Sequence, residues 1–195
     1  MTKTTTAVLL TAALTTAASA GPVLTEADWL AAGDGLLTND AISGLQWLDW
    51  SHTINRSYDD VSSQLGAGGE FEGFRYATYD EVVTLYLHAG AVFIEFDSNI
   101  NHVENIPGAT LLAGLLGETF TGGGEAIYDF PVGGPSRAVT AFNGDPYGHF
   151  IMQWFTTEES FFFDFVGHAL VRVPAPGTAA LLGFGGLIAT RRRRN

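Results

Sequence analysis

Asp97, Asn99 and Asn101 offer side-chain oxygens at alternate positions, the spacing of the first three ligands of a calcium loop, and Glu104 follows closely. Hard cations accept such oxygens, so these four residues form the candidate ligand or calcium site. An EF-hand would continue with glycine at position six and glutamate at position twelve, where this chain has His102 and Gly108. A loop of Asx turns is the plainer reading of the segment. Trp47 and Asp49 make a second candidate, since they share a face if the chain there is extended. An indole beside a carboxylate suits stacking on a sugar ring and bonding its hydroxyls. Core packing of Trp47 and Trp50, with Asp49 capping a neighbouring turn, accounts for the same residues more simply. Arg75 is expected to pair with Asp49, Asp80 or Glu81 rather than to hold a ligand.

Catalytic motifs are absent. The chain has no G-x-S-x-G elbow, no P-loop, no dinucleotide fingerprint and no cysteine. His52, His88, His102, His149 and His168 lack zinc-ligand spacing. The adjacent acids Asp59 and Asp60, and Glu158 and Glu159, look solvated. A glycosidase pair is defined instead by a spatial separation of roughly 5 to 9 Å.

Any such site must be positioned by mixed elements. Thr25 with Asp28 predicts a capped helix that Gly33 ends, and 34–40 look turn-like. Residues 45–50 read as a strand. Ser57 with Asp60 starts a second helix ending at the glycines 66, 68 and 69. Thr78 and Glu81 form a full capping box ahead of Val82, Val83, Leu85 and Tyr86, which predicts a third helix. Beyond Gly90 the pattern turns to strands at 91–96, 126–130, 138–142, 150–155 and 161–173, the last broken near Gly167. Helices early and strands late predict an α+β fold.

Of the 195 residues 46% are apolar and 15% charged, which fits one globular domain rather than a disordered or disulfide-built chain. Charge is distributed unevenly. Residues 21–172 contain all 21 acids against Arg56, Arg75, Arg137 and Arg172, giving 4 − 21 = −17. A body that acidic repels phosphate backbones, which argues against nucleic acid as a partner.

The two ends carry addresses. Lys3, the apolar stretch 7–18 and Ala18-Ser19-Ala20 make residues 1–20 a signal peptide, with the exported body at 21–172. At the other end Val173-Pro174-Ala175-Pro176 precedes an uncharged run and then Arg191, Arg192, Arg193 and Arg194. Residues 173–190 would span roughly 27 Å as a helix, just short of a hydrocarbon core of roughly 30 Å. The arginines would stay cytoplasmic, leaving the body outside. Residues 173–195 resemble a PEP-CTERM sorting signal, with Ala175 where that family usually has Glu. The resemblance implies an exosortase-type processing partner, cleavage near residues 173–176, and transient inner-membrane anchorage before release to the cell surface or beyond. A permanent anchor is the competing reading.

Two internal motifs carry a second resemblance. Leu45-Gln46-Trp47, then Gly73-Phe74-Arg75-Tyr76-Ala77-Thr78, then Val171-Arg172 are similar to the Leu-x-Trp, Gly-Trp-Arg-Leu-Pro-Thr and Val-Arg of a C-type-lectin-like domain family. That likeness covers most of 36–172 but leaves 91–148 unmatched. It implies two helices, paired terminal strands and a long irregular loop region, with ligand contact from the loop holding Asp97, Asn99, Asn101 and Glu104. The expected function is that of a non-enzymatic exported surface or extracellular-matrix protein that binds polysaccharide, calcium being the one cofactor in view. The alternative is a secreted polysaccharide hydrolase with an unrecognised carboxylate pair.

Overall fold

The computed structural model describes residues 22–98, 100–130, 136–153, 160 and 163–174. Residues 1–20, read as a signal peptide, Asn99, and the part of the expected sorting segment from Ala175 onward lie outside the described residues. Among the described residues no helix is long and apolar enough to cross a membrane.

The first departure from the sequence reading comes at once. In place of a helix from Thr25, β1 (Leu24–Ala27) pairs antiparallel with β2 (Leu37–Asp40), so the residues read as a turn hold a strand. Asp34 decides this. Its carboxylate accepts from the backbone N–H of Trp29 (2.9 Å), Leu30 (2.7 Å), Ala31 (2.7 Å) and Leu36 (3.2 Å). Those amides, Trp29's above all, hold its carboxyl down to about 2. Side chains that cap helices also close turns, and here the turn wins because Leu37 and Thr38 become fully buried.

β3 (Gln46–Leu48) follows, then a 3-10 turn at Trp50–Thr53. α1 (Tyr58–Ser63) starts as the sequence predicts, with Ser57 Oγ accepting from the Asp60 amide at 3.1 Å. After β4 (Arg75–Tyr76) comes α2 (Tyr79–His88), opened by the capping box: Glu81 Oε2 accepts from the Thr78 amide at 2.9 Å and Thr78 Oγ1 accepts from the Glu81 amide at 3.4 Å. Two otherwise orphan amides are satisfied there, so Thr78→Ala should lower stability by about 1 kcal/mol. An unchanged urea midpoint in that variant would show that the helix does not depend on its cap. Arg75 pairs with Glu81, at 2.8 and 2.6 Å, in preference to Asp49 or Asp80.

β5 (Glu95–Phe96) and a 3-10 turn at Val103–Asn105 lead into α3 (Ile106–Leu116). β5 is the end of the strand expected at 91–96, whereas no helix is legible at α3 from sequence, since Pro107, Gly108 and Gly114 read as breakers. Pro107 is tolerated in the first turn, and Gly108 is required by packing, because a Cβ on it would lie 3.2 Å from the Ala89 carbonyl carbon. The chain closes with β6 (Gly123–Phe130), β7 (Ser136–Asn143), β8 (His149–Gln153), β9 (Gly167–His168) and β10 (Leu170–Arg172).

These strands build two five-stranded sheets, ordered β1-β2-β3-β10-β4 and β5-β8-β7-β6-β9. The break expected near Gly167 is the passage from one sheet to the other. Ala169 makes the stitch: its N–H donates to Ile127 O at 2.9 Å and its carbonyl accepts from the Ala77 N–H at 2.8 Å.

Face parity in the second sheet sets everything that follows. Ala126, Tyr128, Phe142 and Phe150 turn to α2 and α3, where they pack with Leu85, Tyr86, Leu112 and Leu116 around Trp47 and Trp50. On the opposite face Ile127 and Val139 pack into a second core with Leu37, Phe71, Phe74 and Leu170. That second core covers one end of the face only.

Candidate functional site

The uncovered end of this face is held by three strands in register. Glu125 stands opposite Ala141 and Ala141 opposite Ile151, while Asn143 stands between Gly123 and His149. With Gln153 they line a pocket of about 450 Å3, within the range of small-ligand sites. Phe120 and Tyr147 flank it, and Phe142 also contributes to the lining.

Each aromatic residue is carried on a tight turn. In the first, the Phe120 amide donates to Gly123 O at 3.3 Å and the Gly123 amide donates back to Phe120 O at 3.1 Å. Glycine is needed at 123, since a Cβ there would lie 2.7 Å from the Phe120 ring. In the second, the Tyr147 amide donates to Gly144 O at 2.8 Å. The two turns are joined by the Gly144 amide donating to Gly122 O at 2.9 Å. Tyr147 also stacks on His149, with ring centroids 5.5 Å apart. The two rings are thus held by backbone geometry at one end of a polar strand face.

The polar groups have defined states. Burial pushes the Glu125 carboxyl up to about 7. Near neutral pH it exists both as an acid that donates and as a carboxylate that accepts. His149 is shifted down, first by burial and then by the charge of His102, so it is neutral at pH 7. Its Nε2 lies 2.7 Å from Asn101 Oδ1, while His102 Nε2 lies 2.7 Å from Glu95 Oε1.

The structure distributes the residues singled out in the sequence. Asn101 reaches the pocket's edge through His149, whereas Glu104 is exposed on the 3-10 turn before α3. Asp97 adopts a left-handed backbone (φ 50°) and its amide donates to Met152 O at 3.0 Å. Asn99 lies outside the described residues. Among the described residues no group of three or more His, Cys, Asp or Glu side chains is placed to hold a metal ion. Val173 and Pro174, the first two residues of the expected sorting motif, follow β10; Ala175, Pro176, Arg191, Arg192, Arg193 and Arg194 lie outside the described residues.

Trp47 and Trp50 are core residues, 1% and 0% exposed. Asp49 does not cap its turn: it occupies the N-cap position of Trp50–Thr53 without a side-chain cap bond. Its Oδ1 is buried without a hydrogen-bond partner among the described residues, and burial, with the charges of Glu26 and Asp34, raises the carboxyl to about 7. It lies against Gly117 at the end of α3, outside the pocket lining.

Sequence reasoning missed Glu125, Asn143 and His149 for one reason. Each sits just beyond the predicted strand limits of 126–130, 138–142 and 150–155, while the actual strands extend to include all three. The face they share could not be assembled without the register. No protein-family model, curated protein or solved structure matches the chain.

Proposed function

We propose that this chain is a non-enzymatic exported surface or extracellular-matrix protein that binds polysaccharide in the pocket on the second sheet. The observation that carries the reading is the pair of turn-mounted rings, Phe120 and Tyr147, flanking a face whose polar groups both donate and accept. Sugar rings present apolar C–H faces and hydroxyls of that same dual character, so aromatic flanks and neutral amides suit them. Export and exosortase-type sorting rest on the two terminal signals of the sequence. A C-type-lectin-like scaffold is supported by β3 pairing with β10, where Trp47 faces Val171 and Gln46 faces Arg172, so that the first and last motifs of the resemblance meet on neighbouring strands.

The hydrolase reading would use Glu125 as its acid, but a glycosidase needs a second carboxyl across the substrate. Glu125 is the one carboxyl among the described lining residues, and binding is therefore preferred. Retention of the full-length protein on extracted matrix polysaccharide tests it. Tyr147→Ala, at a residue 44% exposed, should weaken retention about tenfold while leaving the thermal midpoint nearly unchanged. Wild-type protein that passes through unretained, or a Tyr147→Ala variant that binds as tightly, would sink the assignment; release of reducing ends would favour the hydrolase.

Processing gives a separate test. Surface-exposed protein should end near residues 173–176, having lost its arginines, and intact mass reads this directly. Recovery of surface protein ending at Asn195 would establish the permanent anchor instead.

A further inference from the structure

Resting on the saccharide-binding reading, we infer that the pocket selects uncharged sugars and rejects their carboxylated or sulfated counterparts. The basis is the number of lysine and arginine side chains and where they stand. Between residues 21 and 172 the lysine and arginine side chains amount to four arginines, so no undescribed part of the body can bring a fifth to the site. Arg56 is held by Asp60 and Glu70, each at 2.6 Å. Arg75 is held by Glu81 at 2.6 Å. Arg172 donates to Gln46 at 2.9 Å and lies over the Phe74 ring. Arg137 stands opposite Asp129, four residues along β7 from Ala141, which is roughly 13 Å of extended strand.

An anionic sugar entering the pocket would therefore meet Glu125 with no guanidinium or ammonium among the described lining side chains. The remaining polar lining groups, Asn143, Gln153 and His149, are neutral at pH 7, and burial of Glu125 lets that one acid be protonated when a hydroxyl needs a donor. Proteins that bind carboxylates or phosphates use charged donors for the purpose, most often arginine in a bidentate fork. This pocket has none among its described lining residues. The surrounding body, at −17, opposes the approach of anions from a distance as well.

The test uses full-length protein with Arg191, Arg192, Arg193 and Arg194 each replaced by Gln, so that the tail cannot itself hold an anion, and a panel of soluble neutral glucans, galactans and mannans, each paired with its own C6-carboxylated derivative. Backbone and linkage are then constant and only the charge differs. At pH 7 with EDTA, so that no calcium bridges carboxylate to carboxylate, each retained neutral polymer should bind at least tenfold more tightly than its carboxylated partner. Glu125→Gln should shrink that ratio threefold or more, because it removes the charge nearest the sugar. Equal or tighter binding of the carboxylated member overturns the selectivity while leaving the binding site standing. A ratio unchanged by Glu125→Gln overturns the role of this pocket in it, since the bulk charge alone would then discriminate. Failure of every polymer to bind overturns the saccharide reading and this inference together.

Discussion

Gly167→Ala should destabilise the protein by about 3 kcal/mol, at the upper end of what overpacking a tight contact costs. A Cβ on Gly167 would collide with the carbonyl oxygen of Trp50 and lie 2.8 Å from its carbonyl carbon and 3.1 Å from its Cα. All of these are backbone atoms, so no rotamer change relieves the clash. Neither side can retreat. The Trp50 carbonyl accepts from Thr53 Oγ1 at 3.0 Å, and the same hydroxyl accepts from the His168 amide at 2.7 Å. Gly167 is itself paired with Ala126 across the second sheet, and two residues later Ala169 joins that sheet to the first. Pushing β9 outward would loosen the junction of both sheets. Gly66→Ala is the control, because a Cβ there meets nothing within 4 Å, and it should change the urea midpoint little. A Gly167→Ala variant within 1 kcal/mol of wild type would show that the junction yields easily.

Asp49→Asn should raise stability by about 1 to 2 kcal/mol at pH 8, with the gain shrinking steadily toward pH 4. Burial, aided by Glu26 and Asp34, lifts the folded carboxyl to about 7 from an ordinary value of 3.8. A group raised on folding contributes its full stability below the unfolded value and loses it as pH climbs through the folded one. The wild type therefore bears an ionised, half-buried Asp49 at pH 8 but a neutral one at pH 4. The magnitude is trimmed from the full-burial conversion because water still screens part of the group. Gly117 brings the carbonyl end of α3 against this carboxylate, an unfavourable place for negative charge.

His168 acts in the opposite direction on the wild type. Burial lowers it to about 4, and Nδ1 is 2.7 Å from Tyr76 Oη while Nε2 is 3.0 Å from Arg56 O. Its contribution is complete above 6.5 and lost as pH falls toward about 4. The difference between Asp49→Asn and wild type cancels that effect and isolates Asp49. Parallel pH–stability curves for the two proteins would mean that Asp49 is solvated in the native state.

Local chemistry made part of this protein legible from sequence. Ser57 and Thr78 bond amides three residues ahead, so α1 and α2 could be placed from spacing alone. Trp47 and Trp50 could be assigned to the core, and Arg75 to a carboxylate partner, because burial and pairing follow from residue type in an acidic chain. The same local logic failed at Thr25 and Asp28, where a helix was expected and a strand and turn form, and at α3, whose Gly108 is justified only by neighbours distant in sequence. The candidate site was beyond local reading altogether. Glu125, Asn143 and His149 lie on three strands, and which of their faces is open depends on Ile127 and Val139 being covered by the second core while Ala141 is not. Side-chain type and short spacing are properties of the sequence; register, and the choice of which end of a sheet another element covers, are set by contacts made only when the whole chain has folded.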